Sequence, residues 1–155
     1  MSAATLDLLL ANESATLELG TQLGKIITAP MIIWLEGDLG MGKTTLTRGL
    51  LKSLGYQGAV KSPTYNLVES YPFSNYIIHH LDLYRFQEPQ EWLDAGLDDL
   101  MNQNSILLIE WPHQGGEFTP CADINIKLTS VEKARQAFIT PLTDSGRIAL
   151  AKFII

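Results

Sequence analysis

Gly37-Asp38-Leu39-Gly40-Met41-Gly42-Lys43-Thr44 fits the pattern G-x-x-x-x-G-K-[ST]. Glycines let a backbone turn tightly and bring successive N–H groups around an anion. A helix that begins at the lysine adds unpaired N–H groups and a partial positive charge. Lys43 is then a point charge within reach of β and γ phosphates, and the Thr44 hydroxyl is placed to ligate Mg²⁺. The plain alternative is a glycine-rich turn that closes a strand–helix unit. The apolar run before the loop and the helical run after it favour nucleotide binding. No Asn-Lys-x-Asp motif is present to read guanine, which favours ATP over GTP.

Magnesium prefers hard oxygen ligands, and two strand ends supply acids: Asp82 after Tyr76–Leu81, and Glu110 after Ser105–Ile109. Ligands of open α/β sheets sit beyond the carboxyl ends of the strands, where both acids emerge. Either can be the magnesium-side acid, with the other orienting the attacking water. Ser62-Pro63-Thr64-Tyr65 is either a switch whose hydroxyl senses the γ phosphate or an ordinary turn. Trp111 packs beside the nucleotide, serves a partner surface, or marks the margin of the core; Trp34 and Trp92 read as core residues. His79 and His80 point to opposite faces of a strand and make a poor metal pair, and His113 stands isolated. Arg85 and Arg135 are candidates for nucleotide or partner contacts.

The elements that must hold these residues are legible from periodicity. Asn12 caps a helix to about Ile27, with Leu17, Leu23 and Ile27 on one side. Met31–Glu36 is a buried strand, and Lys43–Leu54 is a helix with Leu46, Leu50, Leu51 and Leu54 on one face and Gly55 at its end. Asn66–Tyr71 and Tyr76–Leu81 are strands joined by a turn. Pro89 opens a helix to about Met101, Ser105–Glu110 is a buried strand, and Ile124–Leu128 pairs beside Ala137–Ile139. The last ten residues form a short helix capped by Thr143, Asp144 or Ser145. Apolar strands interleaved with helices indicate an α/β fold of the P-loop NTPase type. Its mostly parallel central sheet is covered by helices on both faces and carries a C-terminal antiparallel extension.

The 155 residues suit a single domain spanning 1–155. Hydrophobic residues make up 46% and charged ones 18%, as in a folded rather than a disordered chain. Eleven basic and 17 acidic residues leave a net charge of −6, which argues against gripping DNA or RNA by net charge. The lone Cys121 excludes an internal disulfide and a cysteine-built zinc site. No run approaches the ~20 apolar residues of a membrane span. The leucine-rich run in Met1–Leu10 is interrupted by Asp7 and has no basic region ahead of it, unlike a signal peptide. A cytoplasmic location without membrane or DNA partners is expected.

Four segments, in this order, resemble the TsaE (YjeE) family, small bacterial ATPases of tRNA threonylcarbamoyladenosine biosynthesis. They are Gly37 through Gly49, Lys61-Ser62-Pro63-Thr64-Tyr65, Asp82-Leu83-Tyr84-Arg85 with Pro89, Glu91 and Gly96, and Leu108-Ile109-Glu110-Trp111-Pro112. The resemblance implies that Thr44 and Glu110 ligate Mg²⁺ and that Asp38, Leu39, Gly40, Met41, Gly42, Lys43, Thr44 and Thr45 hold the phosphates. It implies a nucleotide contact for Arg135 and a place near the base for Glu13 and Thr16. Thr64, Asp82 and Trp111 match positions needed for ATPase function. Met41 stands where alanine is usual, Gln90 replaces a common glutamate, and Trp92 and Ala95 depart from the usual helix.

The family implies an ATP-driven accessory of the TsaB–TsaD complex, which reaches tRNA only through those partners. Hydrolysis is expected to be slow alone and faster with them. Two other classes stay open: a non-catalytic nucleotide-gated adaptor and a small-molecule kinase. No segment stands out as a kinase's arginine-bearing lid.

Overall fold

Alternating side chains of three neighbouring strands divide between two cores. The computed structural model describes residues 5–38 and 40–153. Strands β1 (Leu6–Leu10), β2 (Met31–Glu36), β3 (Val68–Pro72), β4 (Ile77–Asp82), β5 (Ser105–Glu110), β6 (Ile124–Val131) and β7 (Ala134–Pro141) form one sheet. Their order is β1-β7-β6-β2-β5-β4-β3. The central strands β6, β2, β5 and β4 run parallel; on one side β7 pairs antiparallel with β6 and β1 antiparallel with β7, and on the other β3 pairs antiparallel with β4. Helices are α1 (Glu13–Gly24), α2 (Lys43–Ser53), α3 (Glu91–Asp94) and α4 (Asp144–Leu150), with 3-10 turns at Leu97–Leu100 and Pro112–Phe118.

Ile33, Leu35, Ile106 and Leu108 face one core with Leu19 and Leu23 of α1 and Leu46, Leu50 and Leu51 of α2. The intervening Ile32, Trp34, Leu107 and Ile109 face the other, where Trp92 of α3 and Leu97 lie. Both faces are therefore covered, and the expected α/β architecture with its C-terminal antiparallel extension is present.

The two long helices meet backbone to backbone. A Cβ at Gly49 would stand 2.2 Å from the Leu17 carbonyl oxygen, and one at Gly20 would stand 2.1 Å from that of Leu46. Only glycines at the crossing permit this approach. Asn12 caps α1 by accepting from the Ala15 amide at 2.9 Å, and Thr143 caps α4 by accepting from Gly146. A side-chain oxygen at this position satisfies one of the free first-turn amides.

Several boundaries differ from the sequence reading. The helix expected from Pro89 to Met101 is broken, because Gly96 takes a left-handed conformation (φ 68°) between α3 and the following 3-10 turn. This bend lets Trp92 and Leu97 both reach the core. Helix α1 ends at Gly24, and its buried face is Thr16, Leu19, Gly20, Leu23 and Gly24, so Leu17 lies off that face. Strand β1 was not foreseen: its leucines are held by pairing with β7, more than a hundred residues away in the chain. Trp34 is half-buried rather than fully core, and its Nε1 donates to the Pro120 carbonyl at 3.0 Å.

Candidate functional site

Parallel pairing places the carboxyl ends of β2, β5 and β4 side by side. Leu35 is opposite Glu110, and Glu110 is opposite Asp82. The phosphate loop joins the end of β2 to the first turn of α2. Gly42, just before Lys43, has φ 101°, a conformation open to glycine without strain. Gly40 is also left-handed, with open space where a Cβ would stand. Leu39 lies outside the described residues.

Lys43 is almost fully buried. Its Nζ donates to the Gly37 carbonyl at 2.5 Å, sits 3.3 Å from Glu110 Oε1, and lies 4.7 Å from the centre of the Trp111 ring. The other oxygen of Glu110 is 2.6 Å from His80 Nε2. Burial alone would raise the Glu110 carboxyl, but its contacts with His80 and Lys43 outweigh burial and hold it below the usual range. Asp82 is equally buried and goes the other way. Burial pushes its carboxyl up, reinforced by the Glu110 charge, against bonds from the Tyr84 amide and Thr64 and the charge of Lys43. Neighbouring carboxylates pushed apart in this way are suited to different tasks.

The Thr64 hydroxyl donates to Asp82 Oδ2 at 2.9 Å, and its oxygen lies 2.8 Å from Ser62 Oγ. A pocket of about 270 Å³ brings Lys43, Thr44, Thr45, Ser62, Thr64 and Glu110 together. A second of about 270 Å³ lies on the other side of the loop, where Glu13, Thr16, Met41, Lys133 and Arg135 gather. The Arg135 guanidinium donates to the Gly40 carbonyl at 3.3 Å. Thr16 is buried, with its methyl carbon 3.4 Å from the point where a Cβ on Gly42 would stand. Glu13 is exposed and pairs weakly with Arg48 at 3.9 Å. Asp38 lies at the loop's start, and its backbone carbonyl accepts from the Met41 amide.

Trp111 is half-buried in a left-handed backbone conformation (φ 54°), unusual for a bulky residue. Its ring lies 5.3 Å from that of Tyr84 and beneath Lys43, so it borders both the core and the loop. Arg85 is drawn away onto the exposed Tyr65 ring at 4.7 Å. His113, expected to be isolated, is 2.9 Å from Glu36 and meets Trp34 edge-on. Folding of the segment after β5 into a 3-10 turn brings it back over β2.

His80 is the participant that sequence reasoning missed. The signal was present: His80 and Asp82 are two apart on one strand, Leu108 and Glu110 two apart on its neighbour, and His80 is opposite Leu108. Period-two geometry turns all four toward the same face. Recognising this required knowing that β4 and β5 are neighbours in register.

The donors fit a magnesium-bound nucleotide. Thr44 and Glu110 offer a hydroxyl and a carboxylate to one pocket, both hard oxygens, and the open side of Gly40 leaves room for an anion against the loop.

Comparison with known proteins shows which family the chain resembles. The chain is 44% identical over 123 residues to the tRNA threonylcarbamoyladenosine biosynthesis protein TsaE of Haemophilus influenzae, covering 79% of this chain and 78% of the relative. It is 43% identical over 137 residues to the protein of the same name from Nostoc sp., covering 85% and 83%. The crystal structure of Bacillus subtilis YdiB superposes with a TM-score of 0.83 at 23% identity, covering 99% of this chain and 95% of that one, and so shares the fold. Residues 10–137 match the family described as Threonylcarbamoyl adenosine biosynthesis protein TsaE. With its phosphate loop, paired strand-end acids and these relatives, the chain belongs to the TsaE family.

Proposed function

We propose that the protein is a magnesium-dependent ATPase that serves threonylcarbamoyl transfer to tRNA adenosine as an accessory of TsaB and TsaD in the cytoplasm. The observation that carries this reading is the convergence of Lys43, Thr44 and Glu110 on one pocket at the start of α2. Phosphates would rest against the amides of residues 38–45, with the base toward Glu13, Thr16 and Arg135 across the loop. Thr44 and Glu110 would hold Mg²⁺, which when bound neutralises charge on the terminal phosphates. Lys43, already poised between Gly37 and Glu110, would exchange those partners for phosphate oxygens. Trp111 gives its ammonium an apolar floor that keeps water from screening the charge.

Asp82 and Thr64 form the remaining polar wall. Glu110 stays ionised and suits the metal, whereas Asp82, with its raised affinity for a proton, suits orientation of the attacking water through Thr64. Among the described residues no arginine lines the Lys43 pocket. Arg48 is beside Glu13, Arg85 lies on Tyr65, Arg135 is across the loop, and Arg147 pairs with Asp144. That distribution supports slow hydrolysis alone, with a partner supplying a further cation.

The decisive experiment is tRNA modification with purified TsaB and TsaD, run with ATP and with a non-hydrolysable analogue, beside hydrolysis measured with and without the partners. Stimulated hydrolysis and modification with ATP alone are expected. Equal turnover with and without partners would count against a partner-completed site, and undiminished modification with the analogue would favour a nucleotide-gated adaptor. Lys43→Ala should abolish nucleotide binding in calorimetry.

A further inference from the structure

His80 is fully buried on β4, with its Nε2 2.6 Å from Glu110 Oε2. Its Nδ1 is buried as well and has no hydrogen-bond partner among the described residues. A hydrogen on Nδ1 would be a buried donor with nothing to accept it, which is costly. A bare nitrogen there loses much less. The proton therefore belongs on Nε2, and the ring is a donor aimed at one oxygen of Glu110. The second oxygen of Glu110 is left for Lys43 and the pocket.

We infer that His80 is a positioning residue, one that fixes the rotamer of Glu110 and commits Oε2 so that only Oε1 is presented to a divalent cation in the phosphate pocket. The inference rests on the nucleotide reading above and adds to it a residue that never touches the ligand. Two features make the arrangement specific. The strand register sets His80 and Glu110 on the same face of adjacent parallel strands, two rows apart from straight opposition. Among the described residues the other ring nitrogen has no hydrogen-bond partner that would draw the imidazole away. Without this bond, Glu110 could swing both oxygens onto Lys43 and form a closed pair that competes with a metal. Groups that hold ligating side chains by hydrogen bonds commonly alter metal affinity by about ten- to a hundred-fold when removed.

The test compares three variants with the wild-type chain. His80→Gln places an amide N–H near the position of Nε2, His80→Asn carries a donor too short to reach, and His80→Leu has none. The Mg²⁺ concentration for half-maximal hydrolysis at saturating ATP should stay near wild type for His80→Gln. It should rise about ten- to a hundred-fold for His80→Asn and His80→Leu. Nucleotide affinity measured in excess chelator should be unchanged in all of them. A merely structural role would lower the melting temperature and the active fraction without moving the magnesium constant. An unshifted constant in His80→Asn and His80→Leu, or a His80→Gln variant as impaired as His80→Leu, would overturn the inference. Ring ¹⁵N resonances of His80 in the metal-free wild-type protein give a reading independent of activity and of variant folding. A proton on Nε2 is expected, and a proton on Nδ1 with a bare Nε2 would refute the donor arrangement. If wild-type hydrolysis or nucleotide binding ignores Mg²⁺ altogether, the nucleotide reading falls and this inference with it. Magnesium dependence in the wild type with unshifted variants defeats this inference alone.

Discussion

Replacing Glu110 by leucine removes the carboxylate that lies between Lys43 and His80. Both side chains of the Lys43–Glu110 pair are nearly sealed from water, at 4% and 5% exposure. Loss of one member leaves an ammonium in a poorly hydrated site, with the Gly37 carbonyl and the face of the Trp111 ring in place of an opposite charge. Breaking a buried pair in this way costs about 3–5 kcal/mol. For a chain of this size each kcal/mol shifts the melting temperature by about 2–4 °C. Glu110→Leu should therefore melt at least about 6 °C below wild type. Lys43→Met should cost less, because Glu110 keeps its bond with His80. The double variant Lys43→Met/Glu110→Leu should recover part of the loss, since an apolar pair of similar volume removes the orphaned charge. Recovery is incomplete because His80 Nε2 is then a buried donor without an acceptor, worth about 1–3 kcal/mol. Urea titration of the four proteins, with a common slope, closes the double-mutant cycle. Additive losses, or a Glu110→Leu midpoint equal to wild type, would show that the pair is not coupled in the folded chain and would refute the reasoning.

Gly49→Ala should lower the urea midpoint by the equivalent of about 1–3 kcal/mol, because its methyl group would meet the Leu17 carbonyl. An unchanged midpoint would mean that α1 and α2 separate freely. Thr64→Val leaves Asp82 Oδ2 without its donor and should reduce hydrolysis far more than nucleotide affinity, as seen by comparing kcat with calorimetric binding. Equal loss in both would place Thr64 in ground-state binding. Burial holds the His79 ring below its ordinary value of 6.5. Between that lowered value and 6.5 the unfolded chain binds the proton more readily, so stability should fall as pH drops through this window. Glu110, whose folded carboxyl is also lowered, adds a loss at more acidic pH, whereas raised Asp82 opposes it. Melting curves of wild type and His79→Gln from pH 7.5 downward check this: the variant should lose the first part of the decline, and parallel curves would remove His79 from the account.

The loop at residues 37–44, the helix after it and the strand before it were legible because each depends on neighbours in the chain. Glycine spacing, a lysine at the helix start and an unbroken apolar run carry their meaning locally. The same holds for Asp82 and Glu110, which are strand-end acids whatever lies beside them. Their opposition in register, and the contrast in their proton affinities, came only with the order β2-β5-β4. The Pro89–Met101 segment shows the limit of local pattern. Its helical spacing is real, but Gly96 bends the chain so that Trp92 and Leu97 share one core.

By itself the sequence determined the glycine-rich loop between a strand and a helix, the α/β class and the acids at the strand ends, since short-range backbone preference and hydrophobic period dictate them. Tertiary structure alone decided that β1 closes against β7, which sets Leu10 opposite Arg135 and brings that arginine to the phosphate loop. It alone also joined His80 to Glu110 and α1 to α2 through facing glycines. These contacts depend on strand order and register, which are settled by burying both faces of the whole sheet at once.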